Sequence, residues 1–133
     1  MDIALISINY PKLKIEFAGA NNPLWIIRNN QLIQINGDKF PIGAFVGEEL
    51  QQFKNHEWEL QKGDCVYIFT DGFADQFGGP KGKKFKYKQF EELLLMHHQK
   101  PMEEQKQILE KTINDWIGML EQIDDILVIG IRI

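Results

Sequence analysis

The chain has 133 residues, 44% hydrophobic and 26% charged, enough for one domain that buries roughly two-thirds of its unfolded surface. Fifteen lysines and arginines against nineteen aspartates and glutamates leave a net charge of −4, which gives no general electrostatic reason to bind nucleic acid or an anionic membrane. No apolar run approaches the roughly 20 residues of a membrane span, no leader-like segment opens the chain, and the single cysteine forms no internal disulfide, so a reducing cytoplasm is the expected setting.

In chain order, residues 3–9 are apolar with polar interruptions and read as a strand closed by the turn Tyr10-Pro11-Lys12. Leu13-Lys14-Ile15-Glu16-Phe17 alternates with period two, as a half-buried strand does. Residues 24–28 and 32–35 flank Asn29-Asn30, a pair that accepts the positive φ of a tight hairpin turn. These four strands are expected to form an antiparallel meander. Residues 36–55, with Gly37, Pro41, Gly43 and Gly47, read as loop. His56-Glu57-Trp58-Glu59-Leu60 alternates again, and Lys62-Gly63-Asp64 turns into the apolar run 65–69, where Cys65 is expected as a small core residue.

Helical patterns follow. Residues 88–98 carry apolar side chains at 90, 93, 94 and 95, and Pro101 separates them from a long amphipathic helix over 102–120. The final run, 126–133, is apolar at nearly every position and reads as a central strand buried on both faces. The fold class is therefore α+β, an antiparallel sheet with helices packed on one face.

Two acidic sites stand at the ends of apolar runs. Residues 65–69 lead into Thr70-Asp71-Gly72, and Asp124-Asp125 opens directly into 126–131. A carboxylate at a strand end sits on rigid backbone yet faces solvent, the placement a hard divalent cation needs. Turn residues of the same kind would give the same letters, since Asp and Gly commonly end strands.

Three ordered segments carry a resemblance. They are 17–25 (Phe-Ala-Gly-Ala-Asn-Asn-Pro-Leu-Trp) with Phe40-Pro41-Ile42-Gly43, the run from Leu60 through Thr70-Asp71-Gly72 to Asp75, and Asp124-Asp125-Ile126-Leu127-Val128-Ile129. Together they resemble the metal-dependent type 2C Ser/Thr protein phosphatases, in particular the bacterial stage II sporulation E branch, over nearly the whole chain. The resemblance implies an α-β-β-α sandwich of which this chain forms part. It implies Asp71 and Asp124 as ligands of Mn²⁺ or Mg²⁺, with Gly72 letting backbone approach the ion or its waters. Asp125 is the substitute for Asp124, and Asp75 reads first as a solvated loop residue and second as a hydrogen-bond acceptor behind the ligands. The family's reaction would use two such ions and an activated water to hydrolyse phosphoserine or phosphothreonine in line.

One departure matters. The family's N-terminal half carries an Asp-Gly or Asp-x-x-Gly-His-Gly segment whose Asp bridges the two ions, and no such segment occurs here; residues 2–8 resemble a mid-domain strand. The chain is therefore expected to be the C-terminal half of a phosphatase domain, inactive alone. The implied partner is a phosphorylated signalling protein of the anti-sigma-factor antagonist type. The alternative is a non-catalytic module that pairs with itself or a partner through an uncovered sheet, with no nucleic-acid or membrane contact expected. Residues 81–88, Lys-Gly-Lys-Lys-Phe-Lys-Tyr-Lys, read first as a solvated loop and second as substrate docking. Asn21-Asn22-Pro23 is expected to hold a turn. His56, His97 and His98 lack ligand spacing, and His97-His98 closes a helix where imidazolium would suit the dipole.

Overall fold

A computed structural model describes residues 1–43 and 52–133. Two antiparallel sheets stack face to face, and helices cover one outer face. The first sheet has the order β1-β2-β5, from β1 (Ile3–Asn9), β2 (Lys14–Ala20) and β5 (His56–Glu59). The second has the order β4-β3-β6-β9, from β3 (Leu24–Arg28), β4 (Gln31–Ile35), β6 (Cys65–Phe69) and β9 (Val128–Arg132). Between β6 and β9 lie the short helix α1 (Gly72–Asp75), the hairpin β7 (Phe77–Gly78) and β8 (Lys83–Lys84), then α2 (Tyr87–His97) and α3 (Met102–Ile117).

Period-two alternation sorts the side chains into two cores. Ile15, Phe17, Leu24, Ile26, Ile35, Leu60 and Val66 fill the space between the sheets. The other face of the four-stranded sheet sends Trp25, Ile27, Cys65, Tyr67 and Phe69 against Phe73, Phe85, Phe90, Leu94 and Ile113 of the helical layer. The described residues thus give a β-β-α stack, helices on one face as the α+β expectation had it. Among the described residues nothing covers the far face of the three-stranded sheet, and Leu5 there is 64% exposed.

The expected four-strand meander is split. β1 and β2 pair with each other, β3 and β4 pair with each other, and the chain changes sheets at Asn21-Asn22. The crossing needs close backbone approach: a Cβ on Gly19 would lie 2.4 Å from the Asn22 carbonyl oxygen, and Asn21 has φ 62°. Asn29 and Asn30 both adopt positive φ, 51° and 59°, as their hairpin requires. The loop read over 36–55 lies in part, at 44–51, outside the described residues.

The final strand is also corrected. Among the described residues β9 pairs only with β6 and forms the sheet edge, with Ile129 41% exposed, so its continuous apolar letters do not mark a central strand buried on both faces. The long helix stops at Ile117, because Gly118 adopts φ 56° and turns its N–H to the Asn114 carbonyl. Cys65 is fully buried, its thiol directed at the His98 carbonyl 3.3 Å away.

At the sheet end where β3 meets β6, Arg28 grips Asp64 with both nitrogens, Nε to Oδ1 at 3.0 Å and Nη2 to Oδ2 at 2.7 Å. Asp64 is 2% exposed and also accepts the Gln61 N–H, so this carboxylate is structural. No described helix is long and apolar enough to cross a membrane.

Candidate metal centre

β6 and β9 run antiparallel, with Phe69 opposite Val128, so the residues after β6 and those before β9 emerge at the same end of the sheet. Topology alone therefore brings Asp71 and Asp124, 53 positions apart, to one place. Three contacts lock the two strand ends. Thr70 N–H donates to the Leu127 carbonyl at 3.0 Å, Thr70 Oγ1 donates to the Asp125 carbonyl at 2.8 Å, and Leu127 N–H donates to Thr70 Oγ1 at 3.1 Å.

Gly72 opens α1 with its backbone pressed against the other segment. A Cβ there would stand 2.2 Å from the Asp125 carbonyl oxygen and 2.9 Å from its carbon. The requirement for glycine is thus a close approach to protein backbone, one residue after Asp71.

The two carboxylates share an electrostatic environment. Burial pushes the Asp71 carboxyl above the usual aspartate range, and the negative charges of Asp124 and Asp75 push it further, as does a hydrogen bond shared with Asp124. Asp124 Oδ1 also accepts the Asp125 N–H at 2.8 Å, while Gln122 Nε2 donates to the Asp124 carbonyl. Of the two neighbouring aspartates, Asp124 is therefore the one whose side chain meets Asp71, and Asp125 contributes its carbonyl to Thr70. Asp75, read first as a solvated loop residue, ends α1, lies close enough to repel Asp71 and forms an ion pair with Lys84 at 3.4 Å.

A fully buried residue, Gln76, fastens the loop that carries Asp124. Its Nε2 donates to the Glu121 carbonyl at 2.9 Å and the Phe77 carbonyl at 3.0 Å, and its own carbonyl accepts from Trp116 Nε1 at 3.0 Å. Sequence reasoning passed over both Thr70 and Gln76. Thr70 lies inside the quoted motif, but its bond to a segment 55 residues away leaves no local signal. Tyr87 was missed as well. Its ring lies 6.3 Å from Phe69 and from Trp25, and burial, with the charges of Asp71 and Asp75, pushes its hydroxyl up to about 12.

The donor set fits a hard divalent cation in kind. Both groups are carboxylates, and their crowding is the imbalance a cation relieves. In number it is short: among the described residues no three His, Cys, Asp or Glu are grouped to hold an ion. The histidines stay outside. His98 is buried, with Nε2 2.7 Å from Asn30 Oδ1. Burial lowers the affinity of His97 and His98 for a proton, with Lys100 and Arg132 adding to the effect, so the imidazolium reading for the helix end gives way to neutral rings. A groove of about 500 Å³ between α3 and 126–130 is lined largely by apolar side chains such as Tyr67, Phe73, Met102, Leu109 and Ile113, with Glu103, Lys106 and Glu110 of α3 also lining it.

Solved structures repeat this arrangement of elements. The chain is similar to the SiaA-PP2C domain of Pseudomonas aeruginosa, with 29% identity and a TM-score of 0.91 over 99% of this chain and 51% of that one. The phosphatase domain of the cell fate determinant SpoIIE from Bacillus subtilis, presoaked with Mn, shares the fold at 20% identity and a TM-score of 0.69, over 100% of this chain and 56% of that one. The RsbU and RsbW domains of Rv1364c from Mycobacterium tuberculosis align at 15% identity and a TM-score of 0.74, over 98% and 35% of the two chains. The chain thus spans about half the length of the first two. Among curated proteins none matches the sequence. The family model for stage II sporulation protein E (SpoIIE) matches residues 1–133 from end to end, and the chain belongs to that family, with the fold of a PP2C phosphatase domain.

Proposed function

We propose that this chain is the C-terminal half of a metal-dependent Ser/Thr phosphoprotein phosphatase domain, supplying Asp71 and Asp124 to a metal site completed by residues outside it. The observation that carries this reading is the crowding of those two carboxylates at the locked end of the β6–β9 pair. Solved relatives described with Mn and with magnesium support a hard divalent ion. When bound, such an ion supplies Lewis-acid polarisation of the phosphoryl group and an acidified water.

The chain's own residues do the positioning. Thr70 fixes the separation of the two strand ends, Gly72 permits the close approach of their backbones, and Gln76 anchors the loop before Asp124. Asp71 and Asp124 present oxygen donors to one side of a phosphoester. Two carboxylates leave most positions of a six-coordinate ion to water or other groups, so the isolated chain binds the ion weakly and turns over poorly. The partner on this reading is a phosphorylated signalling protein, and the single buried thiol suits a reducing cytoplasm.

Mn²⁺-dependent hydrolysis of p-nitrophenyl phosphate by the chain, and by a version extended upstream in its gene, tests the proposal. The expected result is activity in the extended form alone, abolished by Asp71→Asn. Turnover by the isolated chain contradicts the split site, and silence in both removes the phosphatase reading.

A second reading has an observation of its own. The open face of the three-stranded sheet, with Leu5 exposed, and the free edge of β9 with Ile129 suit a non-catalytic module that pairs with itself or a signalling partner. A concentration-independent monomeric mass in sedimentation speaks against self-pairing.

A further inference from the structure

Residues 81–88 read from sequence as a solvated loop, but the structure builds them into a pinned element. Phe85 is buried, stacked edge-on to Phe73 and Trp116 at 5.2 and 5.3 Å. Its N–H donates to the Gln76 carbonyl at 2.9 Å, and Lys86 N–H donates to the Ala74 carbonyl at 2.8 Å. On the far strand of the hairpin, a Cβ at Gly78 would lie within 2 Å of the Trp116 carbonyl oxygen, so β7 sits directly on α3. Lys86 itself has φ 77° and ψ 151°, a region populated almost only by glycine. A non-glycine residue held there is set by its surroundings rather than by its own preference.

This rigid element is strongly basic in an acidic chain. Lys81, Lys83, Lys84, Lys86 and Lys88 are all exposed within eight residues, and only Lys84 forms an ion pair among the described residues, with Asp75. That pair ties the hairpin to the residue four after Asp71, and Tyr87 next to Lys86 touches the same end of β6 through Phe69. The strand end beside the hairpin carries Asp71, with Asp124 held beside it by the β6–β9 pairing and Asp75 one helical turn further on. An anionic substrate approaching that end meets repulsion, and a fixed row of cations alongside it offsets this and sets the direction of approach.

We propose that the β7–β8 hairpin and the start of α2 form a docking rim for an acidic segment of the substrate phosphoprotein, flanking its phosphorylated residue. The inference rests on the assignment of Asp71 and Asp124 as the phosphoryl-binding end. Charge complementarity selects the occupant: four unpaired lysines on a rigid edge match several carboxylates on an extended peptide. Each exposed pair contributes little, and several together give roughly tenfold in affinity.

The test is fluorescence anisotropy with the chain as it stands and two phosphoserine peptides. One has acidic residues around the phosphoserine, and the other has them replaced by glutamine. The acidic peptide is expected to bind about tenfold tighter, an advantage that falls with added salt and disappears in Lys81→Glu/Lys83→Glu. Circular dichroism of that variant checks that the fold is kept, and the neutral peptide serves as its binding control. Equal binding of the two peptides, or an advantage that survives the double charge reversal, overturns the proposal. So does tighter binding of a single-stranded RNA oligonucleotide of matched charge, which would assign the rim to nucleic acid. Ester hydrolysis by the extended domain reads the phosphatase assignment separately. Hydrolysis without peptide preference sinks the docking rim alone, and peptide preference without hydrolysis sinks the phosphatase assignment while leaving an acidic-peptide site.

Discussion

The Thr70 hydroxyl donates to the Asp125 carbonyl at 2.8 Å while accepting the Leu127 N–H at 3.1 Å, and so bridges the two segments that carry Asp71 and Asp124. Removing it leaves a carbonyl and an N–H without their partner at the strand ends. Thr70→Val, which keeps the shape, is expected to cost about 1–2 kcal/mol in urea unfolding. Thr70→Ser should recover most of that loss, since it restores the hydroxyl. Equal losses for valine and serine would mean that the methyl packing matters and the bridge does not.

Gly72 gives a sharper case. Its missing Cβ leaves room for the Asp125 carbonyl, 2.2 Å from where that atom would stand. Backbone cannot swing aside as a side chain can, so Gly72→Ala must push the two segments apart. A loss of about 2 kcal/mol or more is expected, with a fall in the stabilisation that Mn²⁺ confers on thermal unfolding. An unchanged melting temperature would show that the segments separate freely.

Legibility in the sequence followed the range of the physics. Period-two alternation and the Asn29-Asn30 turn are local, and both survive in β2 and the β3–β4 hairpin. The switch of sheets at Asn21 depends on Gly19 meeting Asn22 and Gly37 across the fold, which no local pattern encodes. Likewise Ile126 to Ile133 is apolar because Ile126 and Val128 pack against the helical layer while Ile131 and Ile133 pack between the sheets, not because the strand is central. Asp71 and Asp124 stood out through the motifs around them, and the structure brings these two together. Which of Asp124 and Asp125 acts on Asp71 was not legible in the sequence, since it depends on how the loop before β9 folds back on α1; the structure gives that place to Asp124.

Crowding at Asp71 has a pH signature. Burial and the charges of Asp124 and Asp75 raise its folded-state pKa above the unfolded value. The folded state therefore holds the proton more tightly, and this contribution to stability is full below the unfolded pKa and lost as pH rises through the folded one. Asp71→Asn cannot ionise, so in the absence of metal it is expected to be more stable than the wild type at neutral pH. The gain should be about 1 kcal/mol or less, since solvent screens the group, and should vanish near about pH 3. Added Mn²⁺ should stabilise the wild type and leave the variant unmoved. A variant less stable than wild type at neutral pH would show that the carboxylate is paired rather than crowded.

At the other end of the sheet, Arg28 and Asp64 form a pair that the metal does not touch. Arg28→Met keeps the aliphatic stem and strands a carboxylate that is 2% exposed. The expected cost is about 3 kcal/mol, most of it the desolvated Asp64 charge, with Asp64→Asn/Arg28→Met recovering part. Thermal unfolding of the single and double variants measures both, and additivity of the two would mean no coupling between the groups.

Lys86 offers the opposite sign. Its backbone sits at φ 77°, ψ 151°, where a Cβ costs about 1–3 kcal/mol, and it is held there because Lys86 N–H reaches Ala74 and Phe85 is buried just before it. Lys86→Gly relieves that strain but frees the unfolded chain, an entropic penalty of about 0.5–1 kcal/mol. Strain is the larger of the two, so the glycine variant is expected to be more stable by about 1 kcal/mol in urea unfolding, while Lys86→Ala, which keeps the Cβ, should gain nothing. A stabilising alanine would locate the penalty in the charge of Lys86 instead of its backbone. A gain confined to glycine would identify Lys86 as a residue whose side chain is retained against the preference of its own backbone, as a docking rim beside the carboxylate pair requires.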